Sequence, residues 1–280
     1  MPSPDQQLAP IDVARLEERR IAAALRDISL EYLEIAGGVV CYGGVGSWQN
    51  GGYGVGIEED PSDEDLDRAE AFWTQRQAEP RFELSPFVSQ AFLQRLAARG
   101  YLLRDFENLL YRVLEPGETI ESPEPRADDG APLEIRQIDP ADEAEIALLA
   151  RVATSGFLPP GEPLTDELLQ TVARTARHPR TRSFIACFGG VPVAACGMEL
   201  HDEVAALFGL STLEPHRRRG IQLALIVHRL RLAQEHGCRA VTIGSKPGIP
   251  TERNAARVGF RVACTKVNMY RPGPGLIASL

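Results

Sequence analysis

The 280-residue sequence predicts an α/β (α+β) fold built as a tandem duplication, each copy a mixed central sheet flanked by helices. Three observations lead there. Strand and helix periodicities along the second half follow the order β-α-α-β-β-β-α-β-α-β. A helix-glycine-aromatic-strand unit near the C-terminus recurs 159 residues earlier. Between the copies, Glu115 to Pro132 (EPGETIESPEPRADDGAP) is rich in Pro, Glu, Asp and Gly and reads as an exposed linker. The expected division is a truncated copy over 1–116, a linker over 117–132 and a full copy over 133–280.

In the full copy, Leu133 to Gln137 alternates as a short strand does. Pro140 to Gly156 carries Ile146, Leu149 and Val152 at helical spacing, with Asp142 or Asp139 as its cap. Phe157 to Pro163 is a proline-rich loop, and Thr165-Asp166-Glu167 opens a second helix. Arg182 to Phe188 and Val191 to Leu200 are strands joined at Gly189-Gly190. Val204 to Leu213 is a third long strand, and Gly220 to His236 a helix ended by Gly237. Arg239 to Ile243 reads as a buried strand, Pro250 to Val258 as a short helix and Phe260 to Tyr270 as a last strand.

The repeat shows at Gly100-Tyr101 and Gly259-Phe260, each followed by Tyr-Arg eleven residues after the glycine. At the same offset Phe82 and Leu84 fall on Val241 and Ile243, and a helix from Asp63 to Arg76 falls on the one starting near Gln222. Glu31 to Tyr42 falls on Val191 to Leu200 and its surroundings. The N-terminal copy begins late, so its first strand and helix are expected to be missing.

The copies part at one turn. In the C-terminal copy, Arg217-Arg218-Arg219-Gly220 joins a strand to a helix. The first turn of a helix leaves N–H groups unpaired and carries the positive end of the dipole, so it binds phosphate. Gly220 lets the backbone approach the anion, and the arginines add forked donors. In the N-terminal copy the same position reads Glu58-Glu59-Asp60-Pro61. Carboxylates there repel a diphosphate, and Pro61 lacks an N–H donor. That copy is expected to bind no cofactor.

Composition bounds the partners. Residues 1–130 carry 25 acidic against 12 basic side chains, and residues 131–280 carry 14 against 18. The acidic half argues against a nucleic-acid partner, while the basic half suits an anionic cofactor. No run approaches eighteen apolar residues and Met1 to Pro10 has no signal pattern, so no membrane association and a cytoplasmic location are expected. The five cysteines are scattered without ligand spacing, which favours neither disulfides nor a metal site.

The element order, the R-x-x-G turn and the short helix ending in Gly-Phe together resemble the GNAT superfamily of acyl-CoA-dependent N-acyltransferases. The resemblance covers 133–272, and 30–115 resembles the second half of the same fold. It implies an N-acetyltransferase that moves an acetyl group from acetyl-CoA to an amine of a small molecule or peptide, as a monomer or homodimer. The alternative is a non-catalytic acyl-CoA-binding or regulatory module. The cofactor's pantetheine arm would bond to Leu210, Ser211 and Thr212, and the strand carrying them would splay from Arg239 to Ile243. The diphosphate would lie on Arg217, Arg218, Arg219, Gly220, Ile221, Gln222 and Leu223, with Asn254 on the pantetheine. Gln222 replaces the family's final small residue.

Acetyl transfer needs a deprotonated amine and a place for the thiolate and the developing oxyanion. The family's usual base falls here near Ala206 and its usual tyrosine at Ala255, neither of which can serve. No catalytic residue is assigned. The candidates are Glu199, His201 and Glu203 at a turn between central strands, Ser245 after the fifth strand, and Tyr270. His216 reads as solvated and Cys264 as core. The amine would enter near Phe157 to Pro163, where Glu162, Asp166 and Glu167 offer negative charge, although the last two equally suit a first helical turn.

Overall fold

The computed structural model describes residues 9–158 and 163–278. In chain order the elements are α1 (Pro10–Ile28), β1 (Glu31–Ile35), β2 (Gly38–Tyr42), β3 (Gly51–Tyr53), α2 (Asp63–Thr74), β4 (Arg81–Leu84), α3 (Gln90–Ala98), β5 (Leu102–Val113), β6 (Leu133–Gln137), α4 (Glu143–Ser155), α5 (Asp166–Arg177), β7 (Thr181–Phe188), β8 (Val191–His201), β9 (Val204–Thr212), α6 (Ile221–Glu235), β10 (Ala240–Ser245), α7 (Pro250–Arg257) and β11 (Arg261–Tyr270). The second half follows the predicted order element by element. Helix α1, with Pro10 at its first turn and Val13, Ala14, Leu25 and Ile28 on its buried face, and the short strand β3 are elements the sequence reading did not identify. The stretch 31–42 is a hairpin rather than one strand, because Ala36 and Gly37 both adopt positive φ and make a two-residue turn.

The repeat extends to backbone detail. At the end of α3, Gly100 donates to Ala97 O and Tyr101 to Leu96 O; at the end of α7, Gly259 donates to Ala256 O and Phe260 to Ala255 O. Both glycines are left-handed, with φ of 81° and 84°. Such a reversal satisfies the last carbonyls of a helix and favours glycine. The N-terminal run α1-β1-β2-β3-α2-β4-α3-β5 matches α5-β7-β8-β9-α6-β10-α7-β11, and among the described residues β6 and α4 have no counterpart.

Compact units do not follow sequence order. One is Met1–Leu109 with Val262–Leu280, and the other is Leu110–Arg261. Each copy's last strand therefore counts, in part or nearly whole, with the other unit. In the first, β11 pairs antiparallel with β4, in register from Val267↔Leu84 to Tyr270↔Arg81. In the second, the end of β5 neighbours β10, with Leu114 N–H donating to Arg239 O. The compact units divide the chain within β5 and at the start of β11, whereas the sequence repeat is counted along the chain.

The first unit's sheet has strands in the order β1-β2-β3-β4-β11-β5. An aromatic core of Trp73, Phe82, Phe92 and Tyr101 packs with Leu66 and Leu96 of α2 and α3 on one face. The face under α1 is charged where β4, β11 and β5 run. Lys266, 4% exposed, ion-pairs with Glu18 of α1 at 2.8 Å and Glu83 of β4 at 2.9 Å. Burial pulls its pKa down, but these carboxylates hold it well above the ordinary lysine value. Glu107 on β5 is pushed up to about 7 by burial and then by the Glu83 carboxylate. Buried thiols include Cys264, raised to about 11 by burial and packed with Ala14 and Leu109 as core, as expected.

The second unit's sheet has strands in the order β5-β10-β9-β8-β7-β6. Helix α6 covers one face over Phe184, Ala194, Cys196, Met198, Ala205, Leu207 and Val241. Helices α4 and α5 cover the other over Ile185, Cys187 and Ala195. Asp142 caps α4 by accepting from Ala144 and Glu145. The segment after β5 is not a free linker. Arg231 donates to Ile120 O, Gln234 to Glu115 O and Glu118 O, and Ile120 is buried in the α6 core.

Two predictions follow from the charged face of the first unit. Replacing Lys266 with Met leaves Glu18 and Glu83 buried without their cation, which costs about 3–5 kcal/mol. Urea unfolding should show that loss, and adding Glu18→Gln and Glu83→Gln should recover part of it. Glu107 has a folded-state pKa above its unfolded value, so its contribution to stability is greatest below about pH 4.3 and falls as pH rises towards about 7. Glu107→Gln should therefore raise Tm more at pH 8 than at pH 5 in a thermal scan; an equal shift at both would contradict the assignment.

Candidate functional site

The site is built where β9 leaves β10. The parallel ladder holds four pairs, from Ala240↔Val204 to Ile243↔Leu207, although β9 continues to Thr212 and β10 to Ser245. A bulge in β9 marks the departure. Across β8–β9, Gly197 pairs with Phe208 and Ala195 with Ser211, so Gly209 and Leu210 stand against Cys196 alone. Gly209 takes φ +59°, which a side chain disfavours. Arg229 of α6, 0% exposed, props the bulge from beneath: its guanidinium donates to Gly197 O at 2.7 Å and Phe208 O at 3.3 Å, and to Leu225 O in its own helix. Burial lowers its pKa. The sequence reading missed Arg229, and its one signal is a charge on the apolar side of α6.

Beyond the bulge, Ser211 and the end of α4 hold the strand in place. Ser211 Oγ donates to Val152 O at 3.0 Å. A Cβ at Gly156 would stand 1.9 Å from Ser211 Oγ, so only glycine admits this approach. The chain then makes a short turn over Glu214–His216 and reaches the arginines. Arg217 Nε donates to Thr212 O at 3.2 Å, Arg218 is left-handed at φ +64°, and Arg219 grips Asp128 through two hydrogen bonds of 2.7 and 2.9 Å. Gly220, at φ +80°, caps α6 with no side-chain bond to the first-turn N–H groups, and that turn holds no acid. The end is open, and an open helix N-terminus presents unpaired N–H groups of the kind that can receive an anion.

The equivalent helix of the N-terminal copy is closed. Ser62 accepts from Asp65 N–H and Asp65 accepts from Ser62 N–H, a reciprocal capping box, with Asp63 and Glu64 alongside. Glu58 pairs with Arg19, and Asp60 accepts from Ser89. The acids that replace the arginine turn serve local structure.

Gln222 and Asn254 have internal roles. Gln222 Nε2 donates to Thr251 Oγ1 at 2.8 Å and its Oε1 accepts from Asn254 Nδ2 at 2.6 Å, which staples α6 to α7. Arg257 in turn donates to Asn254 Oδ1. These two side-chain amides join the helices, and the backbone N–H of Gln222 is separate from that contact. His216 is half-buried against Phe188, with ring centroids 6.3 Å apart, rather than solvated.

Register places the candidate bases. Thr181 pairs with Glu199, Glu199 with Ala206, and Ala206 with Thr242, so a row across β7, β8, β9 and β10 shares the face that α4 and α5 cover. Glu199 is 3% exposed and accepts from Arg180 Nε at 3.0 Å. A carboxylate thus stands directly opposite Ala206. The hairpin register, closed by His201↔Val204, is the sequence signal that would have paired them. Of the other candidates, Glu203 pairs with Arg239 at 2.9 Å, and His201 sits beside Asp202 at the turn. Ser245 donates to Lys246 O. Tyr270 belongs to the first unit, where Arg104 stacks on its ring at 4.0 Å. Asp166 and Glu167 are exposed in the first turn of α5, which Thr165 caps. Glu162 lies outside the described residues. Among the described residues no group of three His, Cys, Asp or Glu is placed to hold a metal, and no helix is long and apolar enough to cross a membrane.

The family model for the acetyltransferase (GNAT) family matches residues 148–260. No curated protein matches the chain. Among solved structures, it is similar to a GCN5-related N-acetyltransferase from Kribbella flavida, at 19% identity and a TM-score of 0.65, covering 92% of this chain and 97% of that one. It is similar at 18% identity and a TM-score of 0.55 to a GCN5-related N-acetyltransferase from Sphaerobacter thermophilus, covering 80% of this chain and 73% of that one. A tandem GNAT protein from the clavulanic acid biosynthesis pathway shares 14% identity at a TM-score of 0.55, covering 95% and 98% of the two chains. These likenesses speak for the fold. The family match covers residues 148–260, and the chain shares its fold with GNAT proteins, a tandem GNAT protein among them.

Proposed function

We propose that the chain is an N-acetyltransferase that moves the acetyl group of acetyl-CoA to an amine of a small molecule or peptide, with one working cofactor site in the C-terminal copy. The observation that carries this reading is the four-pair ladder between β9 and β10 beside the uncapped N-terminus of α6. The separated strand offers the backbone of Leu210 to Thr212 to the pantetheine arm, and α6 offers the first-turn N–H groups of Ile221, Gln222 and Leu223 to the diphosphate. Arg217 to Arg219 supply the positive charge. The capping box at Ser62 and the acids around it leave the N-terminal copy without an equivalent anion site.

In the reaction the amine nitrogen bonds to the thioester carbonyl carbon, the C–S bond breaks, and the CoA thiolate leaves. The nitrogen must also lose a proton. We assign its acceptor as Glu199, directly or through water, because Glu199 occupies the buried row opposite Ala206 on the face toward α4 and α5. Arg180 orients the carboxylate. Binding both reactants side by side supplies much of the acceleration.

Arg217→Glu combined with Arg218→Glu should abolish acetyl-CoA binding in a calorimetric titration; unchanged affinity would refute the cradle. Stabilisation in a thermal shift by ATP but not CoA would overturn the cofactor assignment. In a thiol-release assay over a panel of amines, Glu199→Gln should lower kcat by about 10²–10⁴-fold with little change in KM for acetyl-CoA. A kcat within threefold of the parent at every pH would remove Glu199 from the chemistry. Absence of amine-dependent thiol release in the parent would favour the non-catalytic acyl-CoA-binding reading.

A further inference from the structure

Residues 114–132 form a strap that runs the length of α6 and ends at the cofactor turn. Gln234 and Arg231 hold its start at Glu115, Glu118 and Ile120. Pro125 is buried, and Pro125 Cγ and Pro123 Cβ lie 3.7 and 3.9 Å from where a Cβ on Gly220 would stand. A tight turn follows, with Ala127 N–H donating to Ala131 O and Gly130 N–H to Ala127 O. At its apex Asp128 meets the Arg219 fork with both carboxylate oxygens, at 2.7 and 2.9 Å.

We propose that this strap is a lid on the phosphate site: Asp128 is a resident anion that a phosphate group of the cofactor must displace from Arg219. The inference rests on the cofactor site proposed above. A planar guanidinium holds a carboxylate or a phosphate in the same bidentate geometry, and the Nη1–Nη2 edge that Asp128 occupies serves one anion at a time. The contact is built to yield. Asp128's side chain is 88% exposed and Arg219's 29%, and ion pairs this exposed are weak. A phosphate carries more charge and also meets the helix end, so it wins the fork. The anchors along α6 keep the strap in place while the turn at 127–131 releases, which makes Asp128 a positioning residue that sets cofactor affinity and the order in which Arg219 engages.

The test is a calorimetric titration of the full chain with acetyl-CoA at low salt. Asp128→Asn should bind about two- to five-fold more tightly than the parent. The gain should vanish in an Arg219→Ala background. Asp129→Asn, which removes the same charge one residue away without touching the fork, should give a smaller gain. Repeating the titration with 3′-dephospho-CoA separates the two phosphates: a gain that persists places the displaced contact at the diphosphate, and one that disappears places it at the ribose 3′-phosphate. Unchanged or weaker binding by Asp128→Asn, or a gain that survives Arg219→Ala, would overturn the lid. If the parent binds no acetyl-CoA at any concentration, the cofactor reading itself falls and the lid with it, an outcome distinct from a parent that binds and a variant that does not respond.

Discussion

The site depends on one backbone event, the bulge at Gly209 and Leu210 that turns β9 away from β10. Had the ladder continued past Leu207, the polar groups of Leu210 to Thr212 would be bonded to β10 and closed to a partner. A bulge leaves carbonyls unsatisfied, and inside a core these are costly. Arg229 meets that need from within α6, the same helix whose N-terminus faces the arginine turn. One helix therefore props the strand opening with its middle and leaves its uncapped start beside the arginine turn. Gln222 adds α7 to this arrangement through Thr251 and Asn254.

The N-terminal copy builds the equivalent helix end differently. Its helix end is capped by its own side chains, and its acids pair with Arg19 or bond with Ser89. The face under α1 is a charged interior. Lys266 brings β11 into that unit because its counter-charges, Glu18 and Glu83, are there. Buried pairs of this kind contribute little net stability and can specify placement, since a strand without the cation leaves two carboxylates stranded.

Much of this was legible in the sequence because local physics decides it. Gly220 after three arginines, Gly100 and Gly259 at helix ends, and the alternation of β7 to β9 each specify their structure within a few residues. Strand exchange was not legible, because β5 and β11 carry similar alternating patterns and neither names its neighbour. The strap read as an exposed linker because its composition is polar, while Ile120 and Pro125 are buried and Ala127 packs on the core. Gln222 and Asn254 were placed at the cofactor by the family resemblance; that their side chains bond each other shows only in the distances across α6 and α7. Glu199 was among the candidates, but its place opposite Ala206 needed the register of the hairpin.

The most direct measurement is a crystal structure of the chain grown with CoA. The account predicts the diphosphate on the N–H groups of Ile221 to Leu223, the pantetheine extended along Leu210 to Thr212 in the opening beside β10, and none at Ser62. A CoA molecule seated elsewhere, or β9 and β10 paired to their ends, would contradict it.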